Sequence, residues 1–82
     1  MHELLNDPVD VRVDFVGNRV RPRQVRWGRR DFEMRTVNMI HRSREGTKNI
    51  FYFSVSDTAN FMKLRLDPES LEWRLVEFYN EG

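Results

Sequence analysis

The sequence predicts a small all-β protein, an antiparallel meander of five or six strands that forms an open barrel or a strongly bent sheet. Apolar and polar residues alternate along most of the 82 residues, with the period of two that half-buried strands show. Turn-forming pairs such as Gly-Asn and Asp-Pro separate these runs at short intervals, which is typical of consecutive hairpins. Aromatic residues make up 12% of the chain, too many for a disordered segment. Closure of the meander would hide its strand edges and so limit edge-to-edge aggregation.

Length and composition indicate one domain over residues 1–82, with a flexible or loosely packed segment at 1–8 and a β core at 9–79. The chain has no cysteine, so packing must stabilise the fold, and a reducing cytoplasm fits this composition. The first eight residues lack the basic start and long apolar stretch of a signal peptide. No apolar run approaches the ~20 residues that span a bilayer. We therefore expect a soluble, cytoplasmic protein without membrane contact.

The first predicted hairpin turns at Gly17-Asn18, a pair suited to a two-residue loop because both residues tolerate positive φ. This loop predicts four cross-strand pairs, namely Phe15 with Val20, Val13 with Pro22, Asp14 with Arg21 and Arg12 with Arg23. The last pair is unfavourable because it brings like charges together. Apolar parity changes between Pro22 and Val25, which predicts a β-bulge near Arg23-Gln24.

A second hairpin is expected to turn through a four-residue loop, Gly28-Arg29-Arg30-Asp31. Its register places Trp27 opposite Phe32, Val25 opposite Met34 and Arg26 opposite Glu33. The next strand then runs over residues 32–42, turns at 44–47 and returns over 49–56.

Apolar residues occur on both faces of these last two strands. This pattern favours a central hairpin covered by residues 1–8, by a helical end or by a partner. An exposed remainder, such as Met39, Ile50 and Tyr52, would form a homodimer seam or dock another protein.

The last hairpin is predicted to use Asp67-Pro68-Glu69-Ser70 as a type I turn. That register pairs Leu66 with Leu71, Leu64 with Trp73, Met62 with Leu75 and Arg65 with Glu72. The alternative is a helix in which Asp67 is the N-cap and Pro68 the first helical residue. Strand or helix over residues 70–79 is left open by the sequence, although the aromatic content favours a strand.

Three short stretches resemble a known family. The segment 25–34, which contains Trp27-Gly28-Arg29, the run 51–55 and the ending Trp73-Arg74-Leu75 are similar to small bacterial all-β domains of unknown function. The similarity covers residues 9–79, and the chain departs from the family pattern where Asp31 intervenes before Phe32. Some such proteins resemble companions of error-prone DNA repair polymerases, so the resemblance implies a link to nucleic acid and no catalytic residues.

An arginine cluster is the main candidate for function. Six arginines fall within twelve residues with no acid among them: Arg19, Arg21, Arg23, Arg26, Arg29 and Arg30. The planar guanidinium suits phosphate, and a ribbon of arginines could lie along a nucleic acid backbone. Trp27 or Tyr52 would stack a base if exposed.

The alternative is a solvated face on which Asp14 takes Arg21 and Glu33 takes Arg26 as cross-strand partners. The formal net charge of +1 and the pI of about 8.2 favour this alternative, because strong nucleic-acid binders are usually more basic.

Catalytic and metal chemistry find little support in the sequence. His2 and His41 are the only histidines, and without cysteine they are too few for a zinc site. No serine or threonine has a context that links it to a base and an orienting acid, and no Gly-rich phosphate loop is present. We therefore predict no enzyme activity, no metal and no cofactor.

The predicted function is a non-catalytic binding module that contacts a polyanion, possibly nucleic acid, through the arginine cluster. The alternative is a protein-interaction or homodimer module whose arginines serve solubility and cross-strand pairing.

Overall fold

A computed structural model describes residues 1–81 and places eight β-strands in them, with no helix. The strands are β1 (His2–Pro8), β2 (Asp10–Val16), β3 (Arg19–Trp27), β4 (Arg30–Glu33), β5 (Thr36–Glu45), β6 (Lys48–Ser56), β7 (Asn60–Asp67) and β8 (Glu72–Asn80). The all-β prediction is thus confirmed. Within this described part there is also no helix long and apolar enough to cross a membrane.

The strands form two antiparallel sheets rather than a closed barrel. One sheet has five strands in the order β1-β8-β7-β6-β5, and the other has three in the order β2-β3-β4. The predicted open barrel or bent sheet of five or six strands is therefore matched only in part. The difference arises because β1 was not expected and because the predicted strand 32–42 is split into β4 and β5.

The split occurs at Met34-Arg35, where the chain moves from one sheet to the other. The amide of Met34 donates to the carbonyl of Arg23 in β3 (2.8 Å), whereas the next amide, Arg35, donates to Ser56 in β6 (3.0 Å). Two successive residues thus bond to different sheets. The apolar alternation changes parity here, from Phe32 and Met34 to Val37 and Met39, but a bulge within one sheet would give the same pattern.

Residues 1–8 are not a loose segment, as the sequence suggested, because His2–Pro8 pairs along β8 as an edge strand. Leu5 packs against the core from this strand. The side chain of His2 is 2.7 Å from Glu77 on β8, which links the two strands near the start of the chain. The alternating burial of β1 explains its placement, although the strand was too short to recognise from sequence.

Three of the hairpins turn through two-residue loops that begin with glycine. Gly17, Gly28 and Gly46 have φ of 61°, 62° and 65°, and each occupies the first loop position, where a type II′ turn requires positive φ. The predicted four-residue loop at 28–31 is therefore wrong. In the structure Trp27 pairs with Arg30 and Val25 with Phe32. Each partner on β4 thus lies two positions earlier in the sequence than predicted.

The first hairpin matches the prediction closely. Phe15 pairs with Val20, Val13 with Pro22 and Asp14 with Arg21. The predicted bulge is also present, because the register shifts between Arg12 and Val13. Since Arg23 is the extra residue on β3, Arg12 lies opposite Gln24, and the unfavourable Arg12–Arg23 pair predicted from sequence does not form.

The last hairpin is a strand pair, so the helical alternative for residues 70–79 is wrong. Its predicted register is also wrong by two residues, because Leu66 pairs with Trp73 and Leu64 with Leu75. The loop is longer than a simple type I turn and includes Leu71, whose amide donates to the carbonyl of Asp67 (2.7 Å).

The core lies between the two sheets. It contains apolar side chains from both, with at most 5% of their surface exposed: Val25, Phe32, Met34, Phe53, Val55, Met62, Leu64, Leu75 and Phe78. Because the three-stranded sheet is smaller than the five-stranded one, it cannot cover the whole inner face. Apolar residues along β5 are exposed, as are Phe15 and Val16 at the tip of the first hairpin.

Candidate functional site

The six arginines of the cluster do not form one continuous surface. Arg19, Arg21, Arg23 and Arg26 are exposed on β3, on the face of the three-stranded sheet that points away from the core. Arg29 is in the loop at the far end of β3, and Arg30 begins β4. Two of them form ion pairs with carboxylates, and the others form none among residues 1–81.

Arg26 is neutralised by Asp31 on the neighbouring strand. Its guanidinium donates to both carboxylate oxygens, with Nε–Oδ1 at 2.8 Å and Nη2–Oδ2 at 3.1 Å. The hydrogen bond from Arg26 lowers the pKa of Asp31, and the same bond raises the pKa of Arg26. Arg26 is thus less available to an external anion than the sequence suggested.

Arg23 is neutralised by Asp14, with its Nη1 2.9 Å from Oδ2. The predicted partners were different, since Asp14 was expected to take Arg21 and Glu33 to take Arg26. The bulge moves Arg23 next to Asp14, and the short β3–β4 loop moves Asp31 next to Arg26. Glu33 instead accepts a hydrogen bond from Gln24 (3.1 Å).

At the other end of β3, Arg30 lies over the ring of Phe32, with its guanidinium carbon 4.7 Å from the ring centroid. This cation–π contact occupies the face of the guanidinium while leaving its edge exposed. Arg29 and Arg30 take part in no ion pair among residues 1–81.

The remaining two arginines, Arg19 and Arg21, line a groove together with Arg35. The groove has a volume of about 670 Å³ and lies between the first half of β3 and the first half of β5. None of these three arginines forms an ion pair with a carboxylate in the described part of the chain. Burial opposes a lower pKa of Asp57, but hydrogen bonds from Ala59 and Asn60 outweigh it, and the charge of Arg35 adds a smaller effect in the same direction.

The groove exists because the two sheets separate at Met34-Arg35. Before this point β4 pairs with β3, and after it β5 pairs with β6. Residues 19–22 of β3 therefore pair only with β2, and the facing edge of β5 has no strand beside it among the described residues. Two unpaired strand edges flank the groove.

One wall of the groove is apolar. This wall belongs to β5, where Val37 is partly buried and Met39 and Ile40 are 61% and 51% exposed. Val20 of β3 is partly buried on the opposite side of the groove. Phe15, which pairs with Val20 at the tip of the first hairpin, is 76% exposed. Exposed apolar side chains next to free guanidinium groups make this the part of the surface best suited to a ligand.

Trp27 is not available to stack a base. Its ring packs against Phe78 with centroids 5.1 Å apart, and its Nε1 donates to the carboxylate of Asp7 at 3.0 Å. The side chain is partly buried against the core.

Tyr52 is also engaged, on the outer face of the five-stranded sheet. Its hydroxyl donates to Glu45 at 2.6 Å, and the ammonium of Lys63 lies 5.2 Å from its ring centroid. Hydrogen bonds from Arg65 and then Tyr52 lower the pKa of Glu45, while the bond to Glu45 raises the pKa of Tyr52. Glu45, Tyr52 and Arg65 thus form a polar cluster whose members hydrogen-bond to one another.

Ile50 was expected among the exposed apolar residues, and the structure corrects this, because its side chain is fully buried. Of the three residues proposed for an interface, only Met39 is largely exposed. On the edge strand β5, Ile40 is exposed together with Met39.

Neither histidine belongs to a group of metal-ligating side chains in residues 1–81. Neither histidine hydrogen-bonds a serine or threonine there, since His2 contacts Glu77 and His41 stacks beside Tyr52. No three histidine, aspartate or glutamate side chains in this range are grouped so that they could hold a metal ion.

Sequence reasoning missed the β5 side of the groove. Arg35 lies outside the twelve-residue arginine cluster, and the residues after it were assigned to a central hairpin. The available signal was the position of Arg35 within a long predicted strand whose apolar residues occur on both faces. A strand that changes sheets produces the same pattern.

No protein-family model matches this chain, and no curated protein or solved structure matches it significantly. The resemblance of the Trp27-Gly28-Arg29 stretch to small bacterial domains therefore stays a prediction.

Proposed function

We propose that this protein is a non-catalytic binding module that holds an anionic polymer in the groove between β3 and β5. The observation that carries the proposal is the presence of three arginines without carboxylate partners around one groove. Arg19, Arg21 and Arg35 are exposed and form no ion pair with a carboxylate in the described chain. An incoming anion would therefore not have to displace an existing partner.

The proposed site is narrower than the whole arginine cluster. Arg23 and Arg26 already bind Asp14 and Asp31, so an anion would compete with short intramolecular ion pairs there. Arg29 and Arg30 form no ion pair but lie roughly 26 Å from Arg19, because β3 rises about 3.3 Å per residue from Arg19 to Trp27. Replacing these two arginines therefore provides a control for replacing the arginines of the groove.

The proposal is tested by fluorescence anisotropy with short single- and double-stranded DNA, RNA and polyglutamate across a salt series. If three arginines each neutralise one phosphate, log K should fall with log salt with a slope of about −2 for single strands and about −3 for duplex DNA. Arg19→Ala with Arg21→Ala should weaken binding about tenfold or more and reduce the slope by roughly 1.5 units.

The matched control is Arg29→Ala with Arg30→Ala, which removes the same charge from the opposite end of β3. We expect this variant to change affinity less than the groove variant, because net charge acts only through long-range steering. Equal losses in the two variants, or no binding of any polyanion at low salt, would contradict the groove as the site.

A second candidate function is a homodimer module, favoured by the exposure of Met39 and Ile40 on the edge strand β5. Pairing of two β5 edges would bury these side chains and complete both sheets. Light scattering at micromolar concentration should then give twice the chain mass of 10.0 kDa. A monomer that becomes no larger at tenfold higher concentration would count against this candidate.

A further inference from the structure

We infer that the polyanion bound in the groove is an extended, acidic peptide segment of a partner protein, which adds as a strand along the free edge of β5. This inference rests on the proposed function, since it names the class of ligand for the same groove. It is carried by the juxtaposition of an unpaired strand edge, an apolar wall and unpaired arginines.

The edge of β5 is long and partly regular. A bulge at Asn38 shifts the register between Val37 and Met39, but from Met39 to Glu45 the pairing with β6 continues without interruption. These seven residues present roughly 20 Å of edge, at about 3.4 Å per residue. An unpaired row of backbone N–H and C=O groups is the template for strand addition.

The apolar wall gives an added strand one side for its apolar residues. Val37 pairs with Val55 and Ile40 with Phe53, so the face of β5 that carries them continues the core. Alternate side chains of a peptide would extend that face and cover the exposed half of Ile40. Main-chain pairing would supply affinity, and these contacts would select an alternating sequence.

Charge then selects an acidic segment. Besides the three groove arginines, Arg42 and Arg44 on β5 take part in no ion pair within the described chain. Of the nearby carboxylates, only Asp14 is paired with an arginine, Arg23. Glu33 accepts a hydrogen bond from the neutral amide of Gln24, and Asp57 accepts hydrogen bonds from Asn60.

The same charges disfavour the two other occupants. A second copy of the chain would bring its own unpaired arginines against the first set, and like charges across an interface oppose association. A nucleic acid backbone has no N–H groups to pair with the strand edge. The ring of Trp27 is packed in the core and that of Tyr52 lies under Lys63, so neither is free to stack bases.

The test uses the full chain and labelled nine-residue peptides. The probe alternates glutamate and valine, and two controls keep its length: one replaces glutamate with lysine, and one replaces the central valine with proline. Proline retains the charge but removes a backbone donor and disfavours the strand. Anisotropy gives affinity, and hydrogen exchange reports protection of the amides in residues 39–45.

We expect the glutamate peptide to bind, and both controls to bind about tenfold or more weakly. The peptide should also protect amides of β5, and Arg19→Ala with Arg21→Ala should weaken its binding by a similar factor. Equal binding of the proline control, or unchanged exchange in β5, would overturn strand addition and leave a purely ionic contact.

Failure of this inference is distinct from failure of the proposed function. If DNA or RNA binds at the groove and the glutamate peptide does not, the polyanion proposal stands and the peptide inference falls. If no probe binds, both fall. A stable dimer that the peptide cannot dissociate would overturn the inference in favour of a second copy.

Discussion

At the scale of single residues, Asp67 shows how one side chain organises a turn. It is the one charged residue among 1–81 with as little as 6% of its surface exposed. Its carboxylate accepts hydrogen bonds from the amide of Glu69 at 2.9 Å and from the ammonium of Lys48 at 3.1 Å. The bond from Glu69 and then that from Lys48 lower the pKa of Asp67, because both favour the charged form.

Asp67 should therefore make stability depend on pH in the acid range. Its folded-state pKa lies below the unfolded value of about 3.9, so its contribution is fully present above that value and is lost as pH falls through the folded pKa. In urea unfolding between pH 2 and 7, we expect Asp67→Asn to be less stable than wild type at neutral pH. The difference should shrink in acid.

The matched control is Glu69→Gln, which removes an exposed carboxylate 3.9 Å from the same ammonium. The difference in stability between Glu69→Gln and wild type should not change comparably with pH. A difference between wild type and Asp67→Asn that stays constant from pH 7 to 2 would contradict the role given to the carboxylate charge.

At the scale of elements, the loop between β7 and β8 contains a conformational outlier. Leu71 has φ of 61°, the only positive value among non-glycine residues in the described chain, and its side chain is 73% exposed. The left-handed region costs an L-residue roughly 1–2 kcal/mol. Leu71 completes the loop by donating its amide to Asp67, so the strain is a local consequence of closing β7 onto β8.

Leu71→Gly should consequently stabilise the protein. Relief of about 1–2 kcal/mol exceeds the roughly 0.5–1 kcal/mol of extra chain entropy that glycine brings to the unfolded state. We expect a net gain of about 0.5–1 kcal/mol in chemical denaturation. Leu71→Ala is the control, since it removes the exposed side chain but keeps the strain. An equal gain in the alanine variant would assign the effect to the lost leucine.

At the scale of the whole molecule, Trp27 joins the two sheets. It belongs to β3 in the three-stranded sheet, yet its indole donates to Asp7 on β1 and packs against Phe78 on β8, both in the five-stranded sheet. With only two places where the chain passes between sheets, such side-chain links determine how the sheets are held together. The hydrogen bond is partly buried, which makes its loss costly.

Trp27→Phe should lower the free energy of unfolding by about 1–3 kcal/mol beyond the cost of the smaller ring. Trp73→Phe provides the matched loss of volume, because Trp73 also packs against the core, with its ring 5.3 Å from Phe53. A double-mutant cycle with Asp7→Ala isolates the bond. A coupling energy near zero would show that Trp27 acts only through packing.

Local interactions explain what could be predicted from the sequence. Alternating polarity determined the all-β class, and Gly17-Asn18 determined the register of the first hairpin because a two-residue loop leaves one pairing. The bulge at Arg23 followed from the change of parity before Val25. Both wrong registers, at Trp27 and at Leu66, differ from the structure by two residues. A shift of two keeps every side chain on the same face, so polarity with a period of two cannot distinguish the alternatives.

The sequence by itself determined the all-β class, the first hairpin and the excess of arginine. The tertiary structure decided which arginines are free. Ion pairs depend on register, and because the register differs by two residues from the predicted one, Arg26 forms an ion pair with Asp31 rather than with Glu33. The groove depends on the place where the chain changes sheets, Met34-Arg35. The change of apolar parity between Met34 and Val37 fits a bulge within one sheet as well as a change of sheet. Partner choice between strands is a property of the packed molecule, because it depends on which sheet can cover the core.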